Sequence, residues 1–237
     1  MSPLVNDRTE HIKFRSAVYI VVSFVLILWV VKAIELASGT SFSNLGVLPR
    51  TFKGAIGIIT GPLIHGDIFH LISNTLPIIV LGILLFYFYH RIAIEIFIWI
   101  YLVTGFWTWM LARSAYHIGA SGIVYGMASF LFFSGIIRKS KQLMTVSGII
   151  IVLYGGIIYG IFPEMVELDV SWEGHLTGVL VGIILSILFR TTKIDFDQET
   201  SKKDASDDND EENYFRHTSS TDSRETTYIY KPKGKIK

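Results

Sequence analysis

The chain has 237 residues, of which 51% are apolar and only 17% are charged, and its mean hydropathy is +0.47. This composition excludes a soluble domain and predicts a polytopic membrane protein. The formal net charge is +1, which gives no reason to expect a nucleic-acid partner. Because cysteine is absent, disulfides, thiolate ligands and a cysteine nucleophile are excluded.

The order of polar and apolar segments predicts an all-α bundle of six transmembrane helices at residues 16–190. A polar tail precedes it at residues 1–15, and a polar tail at residues 191–237 follows it. The second tail lacks the apolar content for a core, and we expect it to be disordered. The spans are predicted at 16–37, 68–89, 92–112, 118–137, 143–162 and 174–189.

Two features of the first span and of the loop after it shape the expected outer face. Lys32 and Glu35 lie near the end of the first span, where we expect them at the level of the lipid headgroups. Glycines and prolines interrupt residues 38–66, so this stretch is predicted to be an ordered interfacial loop.

Lysine and arginine are more frequent beside the N-terminus and after spans 2, 4 and 6 than on the other side. The bias predicts an integral protein of the inner or plasma membrane with both termini in the cytoplasm. Spans 2, 4 and 6 then begin on the outer side. Polar residues in their first turns should therefore lie at one depth.

Those first turns carry His70 and Asn74, Ser121, and His175. Polar groups inside spans are costly and tend to mark functional sites. A lone serine is commonly a packing residue, and a lone buried histidine commonly binds a backbone carbonyl. Together, Ser121 and His175 predict a nucleophile and its general base, because a hydrogen-bonded imidazole activates the hydroxyl.

The start of span 4 is also suited to stabilising an oxyanion, since backbone N–H groups there are unpaired and the helix dipole favours negative charge. His70 and Asn74 are four residues apart, so they share a face and could both donate to that oxyanion. Their alternative role is an interhelical hydrogen bond. Gly119 leaves room for a substrate backbone.

Two further predictions concern packing around His175. Tyr125 shares a helix face with Ser121 and is predicted either to stack on the His175 ring or to be an ordinary core aromatic. A pattern of small residues four apart predicts that span 6 packs closely against span 4. Its members are Gly174, Gly178 and Gly182.

A third catalytic residue and a metal site are both disfavoured. Asp169 and Glu173 precede His175 in a loop that we expect to be wet, so a Ser–His dyad is predicted. His65 and His70 do not share a helix face, and no H-E-x-x-H motif is present. We therefore expect His65 and His117 to order their loops rather than bind metal.

These motifs resemble the rhomboid family of intramembrane serine proteases over residues 16–190. The resemblance rests on His70-x-x-x-Asn74, Gly119-x-Ser121-Gly122 with Tyr125, and His175-x-x-Gly178. It implies that Ser121 is the nucleophile and His175 its base, and that Asn74, His70 and the Ser121 N–H form the oxyanion hole. It also implies single-span membrane proteins as substrates, cleaved near the outer end of their helix without cofactor or metal.

One departure from the family is visible in the first loop, where many members carry a Trp-Arg pair. The nearest counterpart here is Pro49-Arg50, without tryptophan. The alternative function is that of a catalytically inactive, rhomboid-like membrane chaperone. A transporter is disfavoured because no acidic residue lies at mid-depth of a span.

Overall fold

The computed structural model describes residues 3–165 and 170–194, without the side chains of residues 3–7 and 157. Within these ranges every element is helical, apart from one isolated antiparallel bridge between Val47 and His117. The all-α prediction is thus confirmed. The predicted disorder of the C-terminal tail falls, from residue 195 onward, outside the described residues.

Seven α-helices follow one another along the described chain. They are α1 (Pro3–Ser38), α2 (Gly57–Thr60), α3 (Ile68–Phe88), α4 (Ala93–Leu111), α5 (Ser121–Arg138), α6 (Lys141–Tyr154) and α7 (Trp172–Leu188). Except for α2, each corresponds to one predicted span. The polar residues before Ser16, expected to be a tail, continue α1 toward the N-terminus.

The fifth predicted span, expected to be one helix over 143–162, is wrong in its second half. The α-helix α6 ends at Tyr154, and a 3₁₀ helix occupies Gly155–Ile161. Three glycines in that segment weaken α-helical propensity, which explains why the tighter helix takes over. Gly160, whose carbonyl is described below, lies in this 3₁₀ helix.

Four helices in the described part of the chain are long and apolar enough to cross a membrane. They comprise residues 8–38 of α1 and the whole of α3, α4 and α5. Both α6 and α7 are apolar but shorter. With about 1.5 Å per residue, the 17 residues of α7 span about 25 Å. The six-span count therefore stays a prediction.

Helix α5 is the centre of the bundle. Its most apolar stretch is 67% buried, whereas the other three candidate spans are 28% to 39% buried. Its closest neighbour is α7, as the small-residue pattern predicted. A Cβ atom on Gly178 would overlap the carbonyl oxygen of Gly122, and one on Gly182 would overlap that of Gly126. The two backbones therefore touch directly.

Lys32 and Glu35 are buried within the protein, and their expected depth at the lipid headgroups stays a prediction. The Lys32 ammonium donates to Glu35 Oε2 at 2.7 Å and to the carbonyls of His65 and Gly66 at 2.9 and 3.0 Å. Glu35 Oε1 accepts from the backbone N–H of Phe42 at 2.9 Å. The two opposite charges neutralise each other, and together the two side chains attach both ends of the first loop to α1.

The same loop is fastened to α4 by Arg50. Its guanidinium donates to the Ala112 carbonyl at 2.8 Å, beyond the end of α4. In return, the indole N–H of Trp109 donates to the Thr51 carbonyl at 2.9 Å. An arginine of the loop and a tryptophan of α4 thus join the two elements, although the loop itself has no tryptophan.

Candidate active site

Ser121 and His175 lie within hydrogen-bonding distance of each other. Ser121 is the first residue of α5, and His175 lies in the first turn of α7. His175 Nε2 is 2.8 Å from Ser121 Oγ, and its Nδ1 is 2.8 Å from the carbonyl oxygen of Gly160. Because a carbonyl only accepts, Nδ1 carries the proton and Nε2 presents its lone pair to the serine hydroxyl.

An aromatic ring also packs on the face of the His175 imidazole. The Tyr125 ring stacks on it with centroids 4.2 Å apart and planes 8° from parallel. Of the two roles predicted for Tyr125, the structure has the stacking one. Both side chains are buried, so the imidazole is fixed by one ring contact and by one hydrogen bond at each nitrogen.

His70 faces the same site from α3. With Ser121 and His175, it borders a cavity of about 410 Å³. Gly119 lies against the His70 ring: its φ is +101°, and a Cβ there would be 2.7 Å from His70 Nε2. Any other residue at position 119 would be strained in its backbone and would displace the imidazole.

Asn74 is buried but does not border that cavity. Its Nδ2 donates to the His70 carbonyl, one helical turn back, at 2.8 Å. The structure therefore brings His70, Ser121 and His175 together around one cavity, and Asn74 lies one turn further along α3 than His70.

His65 orders the segment before Ser121. Its Nε2 accepts from the Ala120 N–H at 3.3 Å, and its ring meets that of His70 edge to face, with centroids 5.1 Å apart. Burial, assisted by the neighbouring His70, lowers the pKa of His65 to about 4. His65 is therefore neutral near pH 7, as an acceptor must be.

Glu173 is not in a wet loop, which corrects the expectation for this residue. It belongs to the first turn of α7, is 8% exposed, and accepts from the Arg113 guanidinium with both oxygens at 3.2 Å. Its carboxylate serves this ion pair rather than a third catalytic role. Asp169, the other acidic residue weighed, lies outside the described residues.

A second, smaller cavity of about 40 Å³ also borders Ser121. Its polar lining includes Thr104, Thr108 and Ser171. This volume is sufficient for a water molecule. Among residues 3–165 and 170–194, no three His, Asp or Glu side chains are grouped as metal ligands.

With this geometry in view, the sequence was compared with known proteins. The Rhomboid domain matches residues 53–192, more than half of the chain. The chain belongs to the rhomboid family. The match, together with the apolar helices, makes this rhomboid-family chain an integral membrane protein.

The relatives include uncharacterized and rhomboid-named proteins. An uncharacterized protein of Mycobacterium tuberculosis is 31% identical over 179 residues, covering 71% of this chain and 73% of the relative. A protein named rhomboid from Acanthamoeba polyphaga mimivirus is 26% identical and covers 58% and 77%. RHOMBOID-like protein 4 of Arabidopsis thaliana is 30% identical and covers 52% and 32%.

Three residues of the site were missed in the sequence. Gly160 contributes a backbone carbonyl, which has no signature in a residue type. Arg113 contributes an ion pair across 60 positions. Ser171 could have been found, because a serine three residues before a helical glycine N–H fits an N-cap, and its Oγ accepts from Gly174 N.

Proposed function

We propose that this protein is an intramembrane serine endopeptidase that cleaves single-span membrane proteins near the outer end of their helix. The observation that carries the proposal is the 2.8 Å contact between His175 Nε2 and Ser121 Oγ, with Nδ1 held by the Gly160 carbonyl. This arrangement suits proton transfer from the hydroxyl to the imidazole.

In the proposed reaction, Ser121 Oγ attacks the carbonyl carbon of the scissile peptide while its proton passes to His175 Nε2. The tetrahedral intermediate collapses when the C–N bond breaks and His175 gives that proton to the leaving nitrogen. The ester on Ser121 is then hydrolysed by water, which His175 activates in the same way. The cavity of about 410 Å³ beside both residues provides a route for that water.

The oxyanion would be stabilised at the start of α5. The backbone N–H of Ser121 is among the first of that helix, where donors lack intrahelical partners. The imidazole of His70 borders the same cavity. Asn74 Nδ2 uses one hydrogen for the His70 carbonyl, and its second hydrogen is the donor that we assign to the oxyanion.

The proposal includes the orientation and the partners. Both termini are assigned to the cytoplasm by the Lys and Arg bias, which puts the cavity toward the outer face. Substrate helices and the bilayer are the partners. No cofactor, metal or nucleic acid takes part in the proposed reaction, because the dyad and backbone donors supply its chemistry.

The test is reconstitution of the purified protein in liposomes with model single-span proteins, followed by mass spectrometry of the fragments. Ser121→Ala and His175→Ala should each lower turnover by at least about 10³-fold, and the double variant should be no worse, because the dyad acts as a unit. Ser134→Ala, which removes another buried serine of α5, should remain active.

An inactive chaperone would give a different result. It would bind the single-span protein without producing fragments, and a fluorophosphonate would not label Ser121. Labelling of the wild type, lost in Ser121→Ala, supports the protease. Near wild-type turnover in Ser121→Ala would exclude the proposed mechanism.

A further inference from the structure

A second pair of histidine and serine side chains lies beside the dyad. His117 precedes Ser121 by four residues, and Ser171 precedes His175 by four. His117 Nδ1 is 2.7 Å from Ser171 Oγ, close to the 2.8 Å of the dyad. The residue types are exchanged between the two sides. In this pair the histidine is on the segment before α5 and the serine is on the α7 side.

The hydrogen bonds of this pair fit one arrangement of protons. His117 Nε2 is 3.0 Å from the Arg113 carbonyl, which only accepts, so Nε2 carries the proton. Nδ1 is then an acceptor, and Ser171 donates its hydroxyl hydrogen to it. Ser171 Oγ still accepts from the backbone N–H of Gly174 at 3.3 Å, as the N-cap of α7.

The surroundings keep His117 neutral in this arrangement. The side chain is only 4% exposed, and this burial lowers its pKa. The charge of Arg113 acts in the same direction, whereas the Arg113 carbonyl and the Glu173 carboxylate oppose it. Its backbone is fixed as well, since the N–H donates to the Val47 carbonyl at 2.8 Å.

A second bridge joins the same two segments. The Arg113 guanidinium donates to both carboxylate oxygens of Glu173 and, at 2.9 Å, to the Val170 carbonyl. The segment that leads to Ser121 is thus tied twice to the residues that begin α7. The ion pair is partly exposed on the arginine side, whereas His117 is buried.

We propose that His117 and Ser171 are positioning residues that set the placement of His175 against Ser121, an inference that rests on the proposed protease function. The backbone N–H of His175 donates to the Ser171 carbonyl at 3.3 Å, so a displacement of Ser171 is passed to the catalytic imidazole. Ser171 and His175 are four residues apart, which corresponds to only about 6 Å along a helix, so a shift of one is transmitted to the other. A misplacement of about 1 Å can cost on the order of 10²-fold in rate.

The test compares Ser171→Ala, His117→Ala, the double variant and Ser171→Thr in liposomes. Each alanine variant should lower kcat by about tenfold or more with little change in KM, because alignment of the dyad and not substrate binding is altered. The double variant should be about as slow as the slower single variant, because the bond between the two side chains can be lost only once. Ser171→Thr keeps the hydroxyl and should remain within about twofold of wild type.

If Ser171 acted only as the N-cap of α7, Ser171→Ala would lower kcat and His117→Ala would keep the wild-type kcat. That result would overturn the proposal, and so would additive effects of the two alanine variants. Ser129→Ala is the matched control, because it removes another serine bond between α5 and α7, to the Val179 carbonyl at 2.9 Å. It should lower the melting temperature without changing kcat.

The rate of Ser121 labelling by a fluorophosphonate provides a reading that needs no substrate. If the wild type is labelled and the His117 and Ser171 variants are labelled at least about tenfold more slowly, the positioning role holds even without an identified substrate. Unchanged labelling in both variants would overturn it. Failure of the proposed function is seen separately, as a wild type that neither cleaves nor is labelled.

Discussion

Tyr125 and His175 stack face to face, with ring centroids 4.2 Å apart and planes 8° from parallel. Gly160 lies against both side chains: its carbonyl accepts from His175 Nδ1 at 2.8 Å, and its Cα faces the Tyr125 hydroxyl so closely that a Cβ would overlap it. The stack sets the tilt of the imidazole and the carbonyl sets its rotation. With the ring held in this way, Nε2 faces Ser121 Oγ at 2.8 Å.

Gly160→Ala should therefore impair the dyad. A Cβ there would overlap the Tyr125 hydroxyl and would lie 3.2 Å from His175 Nδ1. We expect kcat to fall by about tenfold or more, because the imidazole is displaced. Adding Tyr125→Phe should restore part of the loss, since the next ring atom is 3.1 Å away. Cleavage assays of both variants check this.

Gly156→Ala is the matched control for that experiment. Gly156 lies in the same 3₁₀ segment, but a Cβ there would meet no atom of the described residues within 4 Å. It should retain wild-type kcat. Equal losses in Gly156→Ala and Gly160→Ala would mean that the segment, and not the contact with Tyr125 and His175, is sensitive.

Gly178→Ala should destabilise the α5–α7 interface. Its Cβ would overlap the Gly122 carbonyl, and backbone atoms at a packed interface cannot move aside cheaply. We expect a loss of about 1–3 kcal/mol in the free energy of unfolding. Gly148→Ala, on the exposed face of α6, should be neutral or stabilising, because a Cβ there has no neighbour within 4 Å in the part of the chain that the structure describes. Thermal unfolding in detergent compares the two.

Acidification should destabilise the protein through His65. Its pKa is about 4 in the folded state and 6.5 ordinarily, so the unfolded chain binds more protons between these values. The contribution of His65 to the free energy of unfolding is then constant well above pH 6.5 and decreases as the pH falls toward 4, by on the order of 3 kcal/mol.

His65→Gln tests the assignment of that pH dependence. The variant should be less stable than wild type at pH 7.5, because the Ala120 N–H loses its imidazole acceptor. Its unfolding free energy should change less between pH 6.5 and 4. If the unfolding free energy of the variant fell with pH as steeply as that of the wild type, other groups, such as His117, would be the cause of the acid sensitivity.

The orientation can be tested with single cysteines, because the native chain has none. Met165→Cys, at an exposed position between α6 and α7, should react with an impermeant maleimide added to intact cells. Gln142→Cys, at the start of α6, should react only after lysis. The reverse labelling pattern would invert the proposed topology.

Much of the architecture is local and could be predicted from the sequence. The ends of α3, α4 and α7 lie within two residues of the predicted spans, because apolar length and an N-cap such as Asp67 act over a few positions. The boundary of α6 was missed, since the competition between α- and 3₁₀-helix at Gly155 is decided by small energy differences.

The candidate site was predicted in its residue types and only in part in its contacts. A serine and two histidines in apolar segments are conspicuous, since polar groups in lipid are costly. The Asn74 amide donates one hydrogen to the His70 carbonyl, a contact that the sequence did not predict, and its expected role at the oxyanion stays a prediction. Which donor meets which acceptor depends on side-chain rotation, and residue spacing does not determine it.

The sequence by itself determined that the chain is helical and integral to a membrane, and which polar residues stand near the N-terminal ends of α3, α5 and α7. Only the tertiary structure decided that Gly160 holds His175, that Ser171 meets His117, and that Lys32 points inward. The physical reason is that apolar runs act locally, whereas a hydrogen bond requires two groups to meet within about 3 Å. Segments over 50 residues apart reach that precision only through backbone packing, here of α5 on α7.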